Sequence, residues 1–144
     1  MEVIEFQNEE YIKNALKECD WGAGKFLYTL IQENKRDILG WNHIYALVEH
    51  QNVVSFCTLA EQDCIEDKTL VPWIGFVFTM ENYRGYRYSK KVIDYALVQA
   101  KKLGYKKVYL ATDHIGLYEK YGFKYLESRR DIYNEESRIY FFDL

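Results

Sequence analysis

The most informative segment of this chain is residues 76–89, which read FVFTMENYRGYRYS. The segment completes the apolar strand predicted over Trp73–Met80, passes through a short polar turn and enters a long helix. Backbone N–H groups at the start of a helix have no acceptor within the helix, and together with the helix dipole they attract anions. The order of strand, turn and helix therefore predicts an anion-binding site where the helix begins.

Positive charge is concentrated around the same turn. Residues 84–107 contain eight basic side chains and one acidic side chain, although the whole chain has a net charge of −3. Four of the basic residues lie in the turn and the first helical turn, namely Arg84, Arg87, Lys90 and Lys91. A basic block in an acidic protein favours a specific polyanion such as a pyrophosphate. A solvated, lysine-rich helix face is the alternative that charge alone leaves open.

Hydrophobic periodicity predicts strands and helices along the whole chain. The predicted strands are Val3–Phe6, Ile44–Val48, Val53–Leu59, Trp73–Met80, Lys107–Thr112, Phe123–Glu127 and Arg138–Leu144. The predicted helices are Glu9–Cys19, Lys25–Asn34 after an interruption at Gly22 and Gly24, a long helix capped by Ser89 or beginning at Tyr86–Tyr88, and Gly116–Tyr121. Strand, helix and strand over residues 73–112 predict a parallel crossover within a mixed sheet, and 144 residues suit a single α/β (α+β) domain, 1–144.

A second motif follows the strand Lys107–Thr112, where residues 114–123 read HIGLYEKYGF. Together the two motifs resemble those of the GNAT superfamily of acyl-CoA N-acyltransferases. The family's phosphate loop reads Arg/Gln-x-x-Gly-x-Gly/Ala, and its later segment reads Leu-Tyr-Glu-Lys-x-Gly-Phe. Arg84 matches the first loop position and Gly85 a common extra glycine, whereas Arg87 replaces the internal glycine and Ser89 the final small residue. The resemblance covers residues 44–127 by motif and the first 43 residues by the order of elements.

This resemblance implies a fold and a cosubstrate. The fold is a mostly antiparallel sheet of six to seven strands with about four helices and a V-shaped opening between the two central parallel strands. Acetyl-CoA would lie in that opening, and the lack of clustered ligands in the sequence predicts no metal. Backbone groups near Phe78 and Thr79 would bind the pantetheine arm. The pyrophosphate would be held by the loop residues Arg84, Gly85, Tyr86, Arg87, Tyr88 and Ser89.

The resemblance also implies catalytic residues. Family members often use the tyrosine that matches Tyr118 to protonate the departing CoA thiolate, and a phenol is close enough in pKa to a thiol to do so. Many members place a base, Glu, on the strand that matches Trp73–Met80, but this strand contains none. The remaining candidates for the base are Asp63, His114 and Glu61, and a reaction without a dedicated base is a further alternative.

The acceptor predicted by the resemblance is an amine. Trp21, Phe26, Trp41 and Trp73 would form aromatic walls suited to a cationic amine, or they would simply be core residues. The first 70 residues carry 13 acidic and 6 basic side chains, which supports a polyamine-like, aminoglycoside-like or peptide amine. We therefore expect acetyl transfer to a primary amine by direct attack. The alternative is a nonenzymatic acyl-CoA sensor.

Other classes of protein fit the sequence less well. Cys19, Cys57 and Cys64 form no CxxC pair and the three histidines are scattered, so we expect no disulfide framework, no zinc site and a reducing cytoplasm. We expect no signal peptide and no membrane span, because the apolar runs are far shorter than the roughly 20 residues a span needs. A nucleic-acid module that stacks bases on Tyr86 and Tyr88 conflicts with the acidic remainder of the chain.

The apolar strand Arg138–Leu144 would either pair across a homodimer or complete the chain's own sheet.

Overall fold

The computed structural model describes residues 1–144 and contains seven strands in one sheet. They are β1 (Glu2–Glu5), β2 (Asn42–Glu49), β3 (Asn52–Ala60), β4 (Trp73–Thr79), β5 (Lys107–Thr112), β6 (Lys124–Arg130) and β7 (Glu136–Asp143). The helices are α1 (Glu10–Glu18), α2 (Gly22–Gln32) and α3 (Tyr88–Lys102), with short 3-10 helices at Arg36–Leu39, Glu81–Tyr83 and Glu119–Tyr121. The strand order is β1-β2-β3-β4-β5-β7-β6, which confirms the predicted mixed, mostly antiparallel sheet.

One pair of neighbouring strands, β4 and β5, is parallel, and the other pairs are antiparallel. The parallel pair is in register at a single position, Trp73 with Tyr109, and the Tyr109 N–H donates to the Pro72 carbonyl at 2.9 Å. Beyond this point the two strands separate toward their carboxyl ends at Thr79 and Thr112. The sheet therefore has the predicted V-shaped opening in its centre.

The helices cover both faces of the sheet, each through its apolar stripe. α3 buries Val92, Ile93, Ala96, Leu97 and Ala100 against one face, where the core also contains Tyr118, Tyr121 and Phe123. α1 and α2 bury Ile12, Leu16, Leu27 and Leu30 against the other face, around Phe56. Helices thus cover both faces of the sheet. The V-shaped opening between β4 and β5 is where a ligand can reach from one face to the other.

The predicted interruption at Gly22 and Gly24 is wrong, because both glycines lie inside α2. Gly24 is buried, and a Cβ atom there would collide with Cys19 Sγ and lie 3.4 Å from Phe56 Cζ. The glycine therefore permits close packing of α2 on the end of α1 and on the sheet. Glycine usually weakens a helix interior by roughly 1 kcal/mol, and here the tertiary contact outweighs that preference.

The number of helices also differs from the prediction of about four. The segment Gly116–Tyr121 forms only the 3-10 turn Glu119–Tyr121, because Gly116 and Gly122 both adopt φ +95° and confine it to one turn. At the C-terminus, β7 lies between β5 and β6 with both edges paired, so it completes the chain's own sheet. None of the helices is both long and apolar enough to cross a membrane.

Candidate functional site

The turn before α3 presents a row of free backbone donors. Gly85 has φ +93°, and Arg87, the residue at the helix N-cap, has the left-handed values φ 57° and ψ 35°. No side chain caps the helix. The N–H groups of Gly85, Tyr86, Arg87, Tyr88 and Ser89 have no acceptor within the protein, whereas the Lys90 N–H donates to the Arg87 carbonyl. Five consecutive free donors around the positive-φ residues Gly85 and Arg87 are an arrangement typical of anion-binding turns.

The basic side chains at this turn differ in the contacts that they make within the protein. Arg84 Nε donates to the Thr79 carbonyl at 3.1 Å, and its guanidinium lies 5.2 Å from the Phe78 ring centroid. Lys90 forms an ion pair with Asp94 at 2.7 Å. Lys91 lies over the Tyr88 ring at 5.5 Å. The Arg87 side chain is exposed and has no hydrogen bond or ion pair, which leaves its charge available to an anion.

Arg87 stands where the family motif has glycine, and the structure explains how it is accommodated. A left-handed conformation costs a non-glycine residue roughly 1–2 kcal/mol. The residue adopts that conformation with an exposed side chain, so no packing contact opposes it. The predicted N-cap role of Ser89 is wrong, since Ser89 lies in the first turn of α3 and its Oγ is bonded to the Tyr121 hydroxyl.

A bulge interrupts the pairing of β4 with β3, in the part of β4 that is no longer paired with β5. The pairing with β3 shifts so that Phe76 and Val77 together lie opposite Cys57, and Phe76 has φ 51°. A bulge leaves its extra residue out of the ladder and redirects the strand. The carbonyl of Phe78 accepts from Ser55 Oγ at 2.7 Å. Contacts of Phe78 and Thr79 with a pantetheine arm stay a prediction, and the bulge adds the backbone of Phe76 and Val77 to the candidates.

Tyr118 lies under α3 with its hydroxyl unbonded. The residue is 6% exposed and packs edge-on against the rings of Tyr121 and Phe123, both at 6.1 Å between centroids. Its hydroxyl makes no hydrogen bond within the protein, and since no fully buried side-chain oxygen lacks a partner, this hydroxyl reaches solvent. Burial, and secondarily the nearby Tyr121, Cys57 and Asp113, raises the pKa of Tyr118. The phenol therefore keeps its proton near neutral pH.

Two of the three predicted base candidates, His114 and Glu61, do not line the main cavity of the structure. His114 is exposed, and the bond it donates comes from its backbone N–H to Thr112 Oγ1 at 3.1 Å, not from its imidazole. Glu61 Oε1 accepts from the Trp41 N–H at 3.3 Å and packs against Gly40, so it braces a turn. Asp63 is the candidate that the structure brings to a cavity.

This cavity, of about 810 Å³, opens on the α2 face of the sheet. It is lined by Trp21, which precedes α2, by Phe26 from α2 and by Phe76 from the bulge, together with Asp63. Trp41 and Trp73 do not line this cavity, and Trp73 fits the stated alternative of a core residue. Trp41 packs against the Tyr105 ring at 5.8 Å, and Trp73 is buried against Tyr109 at 5.7 Å.

The carboxylate of Asp63 lies against β4 at Gly75. It fills the space that a side chain at position 75 would need, and Thr58 Oγ1 borders the same space at 3.4 Å. Asp63 forms no ion pair, and burial raises its pKa, with the N–H and thiol of Cys64 acting in the opposite direction. The chain thus places a carboxylate beside β4 from the β3–β4 loop, although the strand itself has none. Asp63 and Tyr118 lie on opposite faces of the sheet, on either side of the V-shaped opening.

Sequence reasoning missed several residues of the cavity. Ile38 comes from the 3-10 helix after α2, and Ile132 and Tyr133 come from the β6–β7 loop. No local pattern marks these loop residues as site residues. Gly75 did carry a signal, because a glycine inside an apolar strand indicates that another group approaches the backbone closely.

Comparisons with known proteins agree with this architecture. The model of the acetyltransferase (GNAT) family matches residues 4–123. No curated protein matches the chain.

Three solved structures illustrate the likeness of the fold. An aminoglycoside 6'-acetyltransferase type Ii superposes with a TM-score of 0.77 at 16% identity, covering 99% of this chain and 97% of that chain. An aminoglycoside 6'-N-acetyltransferase complexed with coenzyme A gives 0.76 at 14% identity, with coverage of 99% and 97%. A GNAT family acetyltransferase from Elizabethkingia anophelis with acetyl-CoA bound gives 0.71 at 13% identity, again with coverage of 99% and 97%. At these identities the likeness concerns the fold alone.

Proposed function

The chain belongs to the acetyltransferase (GNAT) family, and on this premise we propose that it transfers the acetyl group of acetyl-CoA to a primary amine of a small molecule or peptide. The observation that carries the proposal is the row of five free N–H groups at Gly85–Ser89, beside the opening between β4 and β5. A pyrophosphate needs several fixed donors and a nearby cation. This turn offers both, with Arg87 as the uncommitted cation.

The residues around the opening suit the rest of the cosubstrate. The N–H groups of Gly85–Ser89 would hold the pyrophosphate, and backbone groups of Phe76–Thr79 would bind the pantetheine arm along the edge of β4 that β5 leaves free. The thioester would then lie where the two strands separate. From there it would be accessible from the α2 face, on which the cavity with Asp63 opens.

Transfer requires three proton movements. A carboxylate or water takes a proton from the ammonium, the free amine forms a C–N bond with the thioester carbonyl carbon, and the C–S bond breaks while the nitrogen loses its second proton to water. Asp63 is our first candidate for the base because it lies beside β4, and His114 is the second because it belongs to the loop before Tyr118. The departing thiolate takes a proton from the Tyr118 hydroxyl, which burial keeps neutral and which has no partner in the protein.

One experiment tests the proposal at two levels. Calorimetry with acetyl-CoA and with CoA measures binding, and thiol release with a panel of primary amines measures transfer. We expect binding of both nucleotides and amine-dependent thiol release. Absence of binding would overturn the proposal.

A second candidate function is a nonenzymatic acyl-CoA sensor, which the absence of a carboxylate on β4 favours. It predicts that acetyl-CoA binds with the same affinity but that none of the amines accelerates thiol release. The two functions are therefore separated by the transfer assay alone.

A further inference from the structure

The cavity on the α2 face is apolar and has an acidic edge. Ten of its 13 lining residues are hydrophobic, and its charged residues are Asp63 and Glu66, with no lysine or arginine. Asp63 is partly buried and unpaired with any cation in the protein. Cys64 supplies hydrogen-bond donors to this carboxylate but no positive charge, and a carboxylate in apolar surroundings is stabilised by a counter-charge. The cavity therefore suits a ligand with a cationic group on an apolar body.

The mouth of the cavity exposes large apolar side chains to water. Phe26 is 40% exposed, Ile38 54%, Ile132 57% and Tyr133 65%. The whole surface exposes twelve large hydrophobic residues. These four are a third of them, and the four together line this one cavity. A cluster of exposed apolar residues around a concave site marks a binding surface for an apolar ligand.

The exposed apolar residues at the mouth form a rim, and hydrogen bonds hold the part of this rim that the β6–β7 loop contributes, Ile132 and Tyr133. The Ile132 N–H donates to the Cys64 carbonyl at 2.8 Å, which joins the loop to the segment that contains Asp63. The Asp131 carboxylate accepts from the Tyr133 N–H at 2.9 Å and from Ser137 Oγ at 2.9 Å. The apolar rim is thus preformed, which lowers the ordering cost of binding.

We propose that the acceptor is a primary amine on an aromatic or bulky aliphatic body, of the size of an arylalkylamine, with its ammonium at Asp63 and its body against Trp21, Phe26 and Tyr133. This inference rests on the proposed function and narrows its acceptor class. A volume of about 810 Å³ accommodates such a molecule. An aminoglycoside or polyamine carries more ammonium and hydroxyl groups than this cavity can pair, because beside Asp63 its polar partners are only Gln62, Glu66 and the Tyr133 hydroxyl, and leaving the rest unpaired is costly.

The test compares acceptors of matched size and charge. Phenethylamine has the charge and the ring, 2-phenylethanol has the ring alone, ethylamine has the charge alone, and kanamycin and spermidine are polycations. Affinities are measured by calorimetry without acetyl-CoA, and kcat/KM is measured by thiol release with it. We expect phenethylamine to bind about tenfold or more tightly than each of the others and to have the highest kcat/KM among the amines. Higher kcat/KM with kanamycin or spermidine would overturn the inference.

Two variants locate the binding groups. Asp63→Asn is expected to weaken phenethylamine binding about tenfold while 2-phenylethanol binding stays unchanged, because only the amine uses the charge. Tyr133→Ser is expected to weaken both compounds, and acetyl-CoA affinity is expected to stay unchanged in each variant. Phenethylamine binding that is insensitive to both substitutions would overturn the inference.

Two controls keep the outcomes separate. If acetyl-CoA fails to bind the unmodified protein, the proposed function fails, whereas acetyl-CoA binding without phenethylamine binding overturns only the acceptor class. Sedimentation of the unmodified protein and of Tyr133→Ser tests a second copy as the occupant of the rim. A dimer that Tyr133→Ser converts to monomer, with phenethylamine binding unchanged, would overturn the inference in favour of self-association.

Discussion

The Tyr121 hydroxyl lies 3.0 Å from Ser89 Oγ, so the segment that follows β5 is bonded to the first turn of the helix that follows β4. β4 and β5 themselves are in register at one position only, and this contact joins the elements beyond their separated ends. The bond therefore helps to fix the width of the opening between the five free N–H groups and Tyr118.

Removal of this bond is expected to lower stability. Tyr121→Phe and Ser89→Ala should each reduce the free energy of unfolding by about 1 kcal/mol, the usual net value of one hydrogen bond. Urea denaturation of both single variants and the double variant measures the coupling. The double variant should lose less than the sum of the two losses, because both substitutions remove the same bond. Strict additivity would show that the contact contributes nothing.

Arg87 is expected to strengthen cosubstrate binding through charge. Arg87→Ala should weaken acetyl-CoA binding about tenfold at low ionic strength, because this side chain is the uncommitted cation at the turn. The loss should shrink as salt is added, since the residue is exposed. Lys101→Ala, at the opposite end of α3, is the matched control and should leave the affinity unchanged. Equal effects of the two substitutions in calorimetry would contradict a specific role.

Tyr118→Phe is expected to slow turnover without weakening acetyl-CoA. The hydroxyl makes no hydrogen bond within the protein, so its removal should preserve the packing and cost only the proton donor. Loss of a general acid typically lowers the rate about a hundredfold or more. Thiol release measures kcat and calorimetry measures the dissociation constant. Tyr125→Phe, on the exposed edge strand, is the control, and an unchanged kcat in Tyr118→Phe would remove this residue from the mechanism.

The pH dependence of transfer is expected to report Asp63. Burial raises the pKa of Asp63, and a general base acts only when deprotonated. The plot of kcat/KM against pH should therefore rise with pH through the raised pKa of this carboxyl group, above the ordinary range for aspartate. Asp63→Asn should abolish this rise and lower the rate on the plateau. If His114→Gln removes the rise and Asp63→Asn does not, the base is His114.

Asp67 is expected to stabilise the loop that contains Asp63 in a pH-dependent way. The Thr69 hydroxyl and the Arg129 guanidinium, the latter at 2.8 Å, lower the pKa of Asp67 to about 2. Because the folded pKa lies below the unfolded value of about 3.9, this stabilisation is complete above that value and is lost as pH falls toward 2. Asp67→Asn should therefore lower the melting temperature at pH 7, and the difference from the unmodified protein should shrink near pH 2. Asp20→Asn, at an exposed site without partners, is the control.

The sequence allowed the order of elements to be predicted because each depends on local patterns. The apolar stripe from Val92 to Ala100 predicts α3 wherever one side of the helix is buried. Gly104, with φ +95°, follows the end of this helix. Predictions based on single residues were less accurate. Gly24 favours a break in a helix, but its close packing on Cys19 outweighs this preference. Ser89 favours an N-cap, but its hydroxyl is bonded to Tyr121 instead.

The turn with free N–H groups could be predicted from residues 84–89 because strand, turn and helix are contiguous, and free N–H groups follow from the start of any helix. The cavity could not be read in this way. Asp63 lies against Gly75, Ile132 is bonded to Cys64, and Phe76 is bulged against Cys57, so each contact joins segments that are separate along the chain. Such contacts depend on strand register and loop packing, which hydrophobic periodicity does not encode. For this reason the free N–H groups before α3 were accessible to local reasoning, and the candidate acceptor cavity required the assembled fold.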